Sequence, residues 1–425
     1  MKRFRVAFGI VTMFVVAGLL TGFAVAQSRS GTILGSVTDQ SGAAIPGAKV
    51  LITNQGTNSQ QAVTTDSSGR YEALLLPVGT YTVTVSAAGL KEAVVRNVVL
   101  ETQQSRELNF ALVPGTVQQT VTVDETAVQV ERTDPTLGQV IHSQQVSELP
   151  LNGRDFVQLA TLAPGVTQGE TGFFTNQGQG EVAIRGSVSL SVQGMRENDN
   201  DWLLDGVDNN ELTAGAVSIL PSIDAIQEFK VLTFNYSAEY GSRGGGTILV
   251  TTKSGSNRLH GTAFEFLRND ELDARNYFDP PQKPIFIQNQ FGATLGGPIL
   301  KDKTFFFLSY QGERIRQGLT VLSTVPTALM RQGIFTESFP GFPAPTIYDP
   351  QSTQPDPVTG ALSRTAFPNN TIPSNRLDPI GLALVNLFPL PNVPGTLSND
   401  YLSNPIKTFG DDAGIARFDH NFSAK

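Results

Sequence analysis

The chain has no cysteine, so disulfides, zinc thiolate sites, iron–sulfur clusters, a cysteine nucleophile and lipid attachment at a cysteine are all excluded. Its three histidines, His142, His260 and His420, show no H-x-x-E or H-E-x-x-H spacing, which removes zinc peptidase chemistry. There is no G-x-S-x-G elbow and no G-x-x-x-x-G-K-[ST] loop, so a serine hydrolase and an ATP-driven machine are both disfavoured. The expectation is a protein that is not an enzyme and holds no cofactor and no metal. Charged residues make up 16% of the chain with a net charge of −8, which leaves no broad basic face for nucleic acid. Beyond residue 26 no apolar run reaches the roughly 18 residues that a transmembrane helix needs. If the later chain meets a membrane, it does so with strands.

What is present points to sheet. With 425 residues there is room for several cores, and 41 glycines with 25 prolines supply many turns and exclude a long coiled coil. Lys2, Arg3 and Arg5 precede an apolar stretch, 6–25, that closes on Ala24-Val25-Ala26, the pattern of a secretory signal with an A-x-A cleavage site over 1–26. An uncleaved membrane anchor is the alternative reading. Cleavage would remove three positive charges and deepen the net charge from −8 to −11.

Residues 27–115 alternate short apolar runs with turn residues such as Asp66-Ser67-Ser68-Gly69 and Pro77-Val78-Gly79. This spacing predicts about seven short antiparallel strands in a β-sandwich. Strand side chains alternate between faces, so Tyr81, Val83 and Val85 fall on one face and Thr82, Thr84 and Ser86 on the other. Val50, Ile52 and Tyr71 complete the expected core. The strings Gly35-Ser36-Val37-Thr38-Asp39, Asp66-Ser67-Ser68-Gly69-Arg70-Tyr71 and Leu76-Pro77-Val78-Gly79-Thr80-Tyr81 resemble the carboxypeptidase regulatory-like domain. That resemblance implies a structural turn in which Asp66 caps, Gly69 takes positive φ and Tyr71 anchors the next strand.

The second zone, 116–257, mixes helix and strand. Phe156, Leu159, Ala160 and Ala163 repeat at helical spacing before Pro164-Gly165, which predicts a short amphipathic helix. Ser222 is placed to cap a helix over 223–228 ahead of strands over 229–234 and 247–253. The strings Leu149-Pro150-Leu151-Asn152-Gly153-Arg154, Leu203-Leu204-Asp205-Gly206-Val207-Asp208-Asn209 and Tyr240-Gly241-Ser242-Arg243-Gly244-Gly245-Gly246 resemble the plug of TonB-dependent outer-membrane receptors. A regulatory-like sandwich followed by such a plug is similar to the Oar-like branch of that superfamily.

The third zone, 258–425, carries the barrel pattern. Ile287, Phe291, Ala293 and Leu295 share one face, interrupted only by Asn289, while Gln288, Gln290, Gly292, Thr294 and Gly296 share the other, as in a wall with lipid outside and a polar lumen. Thr304 to Glu313 predicts a second strand whose Phe305, Phe306, Phe307 and Tyr310 suit an aromatic girdle. The irregular 326–408 reads as a long external loop, and 415–422 as a further strand. An ordinary two-sheet core is the alternative. Four or five strands are expected against roughly 22 in plugged transporters, so the sequence reads as the start of a transmembrane antiparallel β-barrel, a truncated gene or a fragment. The fold class is mostly β: sandwich, mixed α/β plug, incomplete barrel.

Weaker patterns accompany these. Gly178-Gln179-Gly180-Glu181-Val182-Ala183 matches a dinucleotide fingerprint but lacks the apolar strand that should precede it. Asp199, Asp201, Asp205 and Asp208 are dense enough for calcium, yet the loop has Leu204 where an EF-hand needs glycine. Trp202 is expected in the plug core. The resemblance implies energisation by a TonB–ExbB–ExbD complex, and a TonB protein pairs with an extended receptor segment by strand addition. Thr120, Val121, Thr122 and Val123 are the candidate contact segment. Asp205, Gly206, Asp208, Asn209 and Asn210 are the plug-motif residues assigned to the ligand side, by resemblance only. The implied partners are outer-membrane lipid and a small ligand such as an oligosaccharide, siderophore or peptide. The implied location is the cell outer membrane with a periplasmic N-terminal domain. A surface or adhesive structural protein without transport, and a secreted carbohydrate-binding β protein, are the rival readings.

Overall fold

The fold, a computed structural model, describes residues 30–115, 120–124, 136–169, 189–211, 217–275 and 283–422. The signal segment 1–26 and the glycine motif 178–183 lie outside the described residues. Contacts divide the chain into two units, one formed by Met1–Ala263, Gly292–Gln311 and Ala413–Lys425, the other by Phe264–Phe291 and Gly312–Asp412.

In the first unit the N-terminal strands are β1 (Ser30–Asp39), β2 (Lys49–Asn54), β3 (Gln60–Thr64), β4 (Arg70–Pro77), β5 (Gly79–Ser86), β6 (Glu92–Leu100), β7 (Ser105–Glu107), β8 (Phe110–Leu112) and β9 (Thr120–Asp124). One sheet runs β4-β1-β7 with β8 also on β1, and the other runs β3-β2-β5-β6-β9. Alternation in β1, β2 and β5 buries Ile33, Val37, Val50, Ile52, Tyr81, Val83 and Val85 between the sheets, with Tyr71. The Asp66 turn is held as the resemblance implied. Asp66 Oδ1 accepts from the Ser68 and Arg70 N–H groups at 2.8 and 2.9 Å, Gly69 has φ +75°, and the Tyr71 hydroxyl donates to the Leu108 carbonyl at 2.8 Å. The pairing differs from the expected all-antiparallel set: β7 and β8 run parallel to β1, and β9 runs parallel to β6. Alternation fixes which face a residue occupies and carries no information on strand direction.

The plug sheet has the order β10-β15-β16-β13-β14, from β10 (Leu137–His142), β13 (Asp201–Leu204), β14 (Val207–Asp208), β15 (Ile226–Phe234) and β16 (Thr247–Thr252), with β11 (Val166–Gln168) and β12 (Leu190–Val192) paired apart. Helix α1 (Ser143–Glu148) follows β10. Phe156, Leu159, Ala160 and Ala163 are buried as the spacing required, but Phe156–Leu162 winds as a 3-10 helix. Asp155 Oδ1 caps it at the Val157 N–H, 2.9 Å away. The helix expected over 223–228 shrinks to a 3-10 turn, Ile223–Ala225, and the Ser222 side chain makes no capping bond. From Ile226 the chain is already strand, because β10 and β16 on either side satisfy its backbone. Trp202 is buried in the plug core with Phe156, Phe229 and Ile248.

The wall sheet is β17-β18-β19-β24, from β17 (His260–Asn269), β18 (Phe286–Leu300), β19 (Thr304–Gly318) and β24 (Ile406–His420). Each of these strands has a stretch in both units. Within the first unit β18 buries Thr294 and Gly296 and exposes Leu295 and Ile299. On β24 Arg417 and Asp419 are half-buried while Phe418 is exposed. A buried polar face behind an exposed apolar one is the alternation of a lipid-facing wall. The expected aromatic girdle needs correction: Phe305 and Phe307 are 1% and 0% exposed on the inward face, and only Phe306 and Tyr310 point the other way. Consecutive strand residues cannot share one face.

The second unit holds the remaining stretches of these strands, together with β20 (Val321–Ser323) paired to β23 (Tyr401–Ser403), β21 (Gln354–Pro355) paired to β22 (Leu362–Ser363), and α2 (Pro379–Val385). Asp378 caps α2 at the Gly381 N–H, and Arg376 makes a two-pronged pair with Asp349 at 2.6 and 2.7 Å.

Candidate functional site

Asp205 and Gly206 form the two-residue turn of the β13–β14 hairpin, with φ of +53° and +81°, the geometry that Asp-Gly favours. Asp205 then ties the hairpin to β16, accepting from the Thr252 N–H at 3.0 Å and the Thr252 hydroxyl at 2.6 Å. Asn209 is buried and holds residue 219 with both ends of its amide. Asn210 Nδ2 bridges Asp201 Oδ1 and Asp208 Oδ1 at 2.8 and 2.7 Å, and Asp201 Oδ2 accepts from the Ser242 hydroxyl. The structure thus gathers all five predicted plug-motif residues at one hairpin, with internal hydrogen bonds fixing its shape. Val207 and Asp208 are exposed at its end. Of the acidic residues dense enough for calcium, Asp201 and Asp208 share the Asn210 amide and Asp205 is turned to Thr252, and among the described residues no group of three or more potential ligands is placed to hold a metal.

The second predicted segment, Thr120 to Val123, lies in β9. Its backbone is the outermost strand of the five-stranded sandwich sheet, in parallel register with β6 from Glu92↔Thr120 to Arg96↔Asp124.

Three polar arrangements join residues too far apart in the sequence for local patterns to pair them. Arg154 of the Leu-Pro-Leu-Asn-Gly-Arg string pairs with Asp224 at 2.5 Å, both side chains largely buried. On the wall, Thr262 donates weakly to Asp224 at 3.4 Å, and Arg417 Nη1 donates to the Thr252 carbonyl at 2.7 Å, so plug and wall share polar contacts. Glu228 and Lys230, alternate residues of β15, are buried against the sandwich turn at Thr102. Two opposite charges spaced by one residue, flanking Phe229 in a mainly apolar strand, were the available signal.

Burial pushes the Asp155 carboxyl up to about 6, partly offset by the Val157 N–H. The folded state therefore binds the proton more tightly than the unfolded chain, and stability falls as pH rises from about 4 to 6. Asp155→Asn keeps the capping oxygen and cannot ionise. It is expected to stabilise the plug by about 1–2 kcal/mol at pH 7.5, below the full value of the shift because the residue is only half-buried, and to be neutral at pH 4. Denaturant unfolding read by Trp202, the single tryptophan, measures this. A variant no more stable at pH 7.5 than at pH 4, relative to the parent, contradicts it.

The geometry is matched by family comparisons. Residues 32–113 match the carboxypeptidase regulatory-like domain, 131–248 the TonB-dependent receptor plug domain, and 251–425 the outer membrane beta barrel domain. The TonB-dependent transporter Oar of Myxococcus xanthus is 31% identical over 313 residues, which cover 70% of this chain and 28% of that protein. The chain belongs to the TonB-dependent receptor family, in its Oar-like branch. The receptor spans less than a third of the length of its Oar relative. Among solved structures it is similar to the siderophore receptor PirA from Acinetobacter baumannii, at 24% identity and TM-score 0.31 over 42% of this chain and 24% of that one. The outer membrane transporter YddB from Escherichia coli is similar over 44% of this chain and 27% of its own, at 14% identity and TM-score 0.34. The receptor is an outer-membrane protein of a transporter family, not of an enzyme family.

Proposed function

We propose that this Oar-like receptor takes up a scarce small ligand across the outer membrane, driven by a periplasmic TonB partner within a TonB–ExbB–ExbD complex. The observation that carries the reading is the plug held by polar contacts, Arg417 to Thr252 and Thr262 to Asp224, against a wall whose outward face is apolar. Such contacts can exchange for water without uncovering an apolar core, which suits a plug that must shift. The sandwich lies in the periplasm, and the Asp205 hairpin faces the ligand, with an oligosaccharide, a siderophore or a peptide as the ligand class. The connector Thr120 to Val123 offers the extended backbone that strand addition by the partner requires.

Deleting residues 120–123 tests this. The purified receptor is expected to capture a periplasmic TonB fragment, and the deletion to lower capture at least about tenfold, the equivalent of roughly 1.4 kcal/mol, while the protein still fractionates with the outer membrane. Equal capture by parent and deletion removes the segment from the reading. A parent that captures no fragment favours a surface protein that does not transport.

A further inference from the structure

The turn between β6 and β7 is clasped by the plug at one residue. The Thr102 N–H donates to Glu228 Oε1 at 2.5 Å, its hydroxyl lies 2.9 Å from that of Thr251, and Lys230 Nζ donates to its carbonyl at 3.4 Å. None of the four is more than 6% exposed. Next to them Glu101 faces His142 Nε2 at 3.4 Å. A buried carboxylate and ammonium are costly without partners. Here the plug strand β15 finds partners for both in the backbone of another domain. The sandwich and plug cores are separate apolar clusters, so at this point the two domains join through polar groups. A cavity of about 370 Å³ borders the clasp, lined among others by Gln103, Gln104, Lys230 and Tyr236.

Two further connections give the clasp consequences. The strand that leads into it, β6, also carries the connector β9, so the position of β9 follows the sandwich. On the plug side Thr251 touches Thr102, while the next residue, Thr252, is held by Asp205 of the hairpin and by Arg417 of the wall. A displacement of the hairpin therefore reaches the clasp through adjacent residues of one strand.

We propose that the Thr102 clasp is a release joint. Closed, it holds the sandwich and its connector strand on the plug; opened by a shift of β16, it frees both as one body to meet the energising partner. The identity of that partner rests on the proposed function, whereas the joint is tested apart from it.

The absence of native cysteine allows clean spin-labelling of the full chain at Ser68→Cys on the sandwich and Ser147→Cys on the plug, both exposed. Thr102→Pro removes the N–H and the hydroxyl yet suits the second position of a turn whose third residue, Gln103, has φ +56°. The distance distribution is expected to be single and narrow in the parent and in Thr102→Ser, and broad or bimodal in Thr102→Pro. A narrow, unmoved distribution in Thr102→Pro overturns the joint. In a second arm the pair Thr102→Cys with Thr251→Cys is oxidised to lock the clasp. Capture of a purified periplasmic TonB fragment is expected to fall about tenfold on locking and to return with reductant, and Thr102→Pro, which removes a hydrogen bond to a charged group, to raise it by a similar factor. Fragment captured equally in the locked and reduced forms also overturns the joint. Distances that respond as expected with no capture by any form uphold the joint and sink the energised-uptake reading instead.

Discussion

Asp224→Ala is expected to destabilise the plug by about 3–5 kcal/mol, the usual loss when one partner of a buried ion pair is removed. The Arg154 and Asp224 side chains are only 14% and 15% exposed and meet at 2.5 Å. Burial holds the Arg154 guanidinium below its ordinary range, and the Asp224 carboxylate is what opposes that. The same carboxylate supports the Lys253 ammonium, which burial also depresses. Removing it leaves the largely buried Arg154 and the partly buried Lys253 without their shared counter-charge, at the junction of the 3-10 turn Ile223–Ala225 with the Arg154 loop. The double variant Arg154→Met with Asp224→Leu is expected to recover most of the loss, since an apolar pair of similar volume replaces a buried ionic one at little net cost. Trp202 emission in a denaturant titration reads both. A loss under about 1 kcal/mol for Asp224→Ala would show the pair to be effectively solvated.

Gly35→Ala is expected to cost the sandwich about 3 kcal/mol or more, at the upper end for overpacking. A Cβ at Gly35 would stand 1.8 Å from the Leu108 carbonyl oxygen and 2.6 Å from its carbon. That backbone cannot retreat freely, because the Leu108 N–H donates to the Leu34 carbonyl at 2.8 Å and its carbonyl accepts the Tyr71 hydroxyl. Relief therefore means parting β1 from the segment that follows β7 and losing the Tyr71 anchor. Gly42→Ala is the comparison: its φ is +84° but nothing lies within 4 Å, so only backbone strain of about 1–2 kcal/mol is expected. Far-ultraviolet melting of the two variants separates steric overlap from conformational strain. Equal shifts in the two would discard the close-approach argument.

Much of the local structure was legible because it is written in short-range rules. The alternation of Tyr81, Val83 and Val85 identified an inward face, and the Asp66-Ser67-Ser68-Gly69 string identified a turn whose hydrogen bonds close within four residues. The same rule read Thr294 inward and Leu295 outward on the wall. Where the expectations missed, a longer-range competitor had won. Ile226 to Glu228 left the expected helix because β16, joined by β10 from Glu228 onward, offered backbone partners, and Phe305 and Phe307 turned inward because the pleat divides an aromatic run between two faces.

Composition and periodicity by themselves determined that the chain is mostly β, which faces are apolar, and that cysteine and peptidase chemistry are excluded. Only the tertiary structure decided that β9 lies parallel to β6, that Arg154 meets Asp224, and that Thr102 fills the space between Glu228, Lys230 and Thr251. The physical reason is range: a side chain's face follows from its immediate neighbours along the strand. The partner of these buried charges and of this open sheet edge lies 28 to 128 residues away, and only packing chooses among the many groups that could satisfy it.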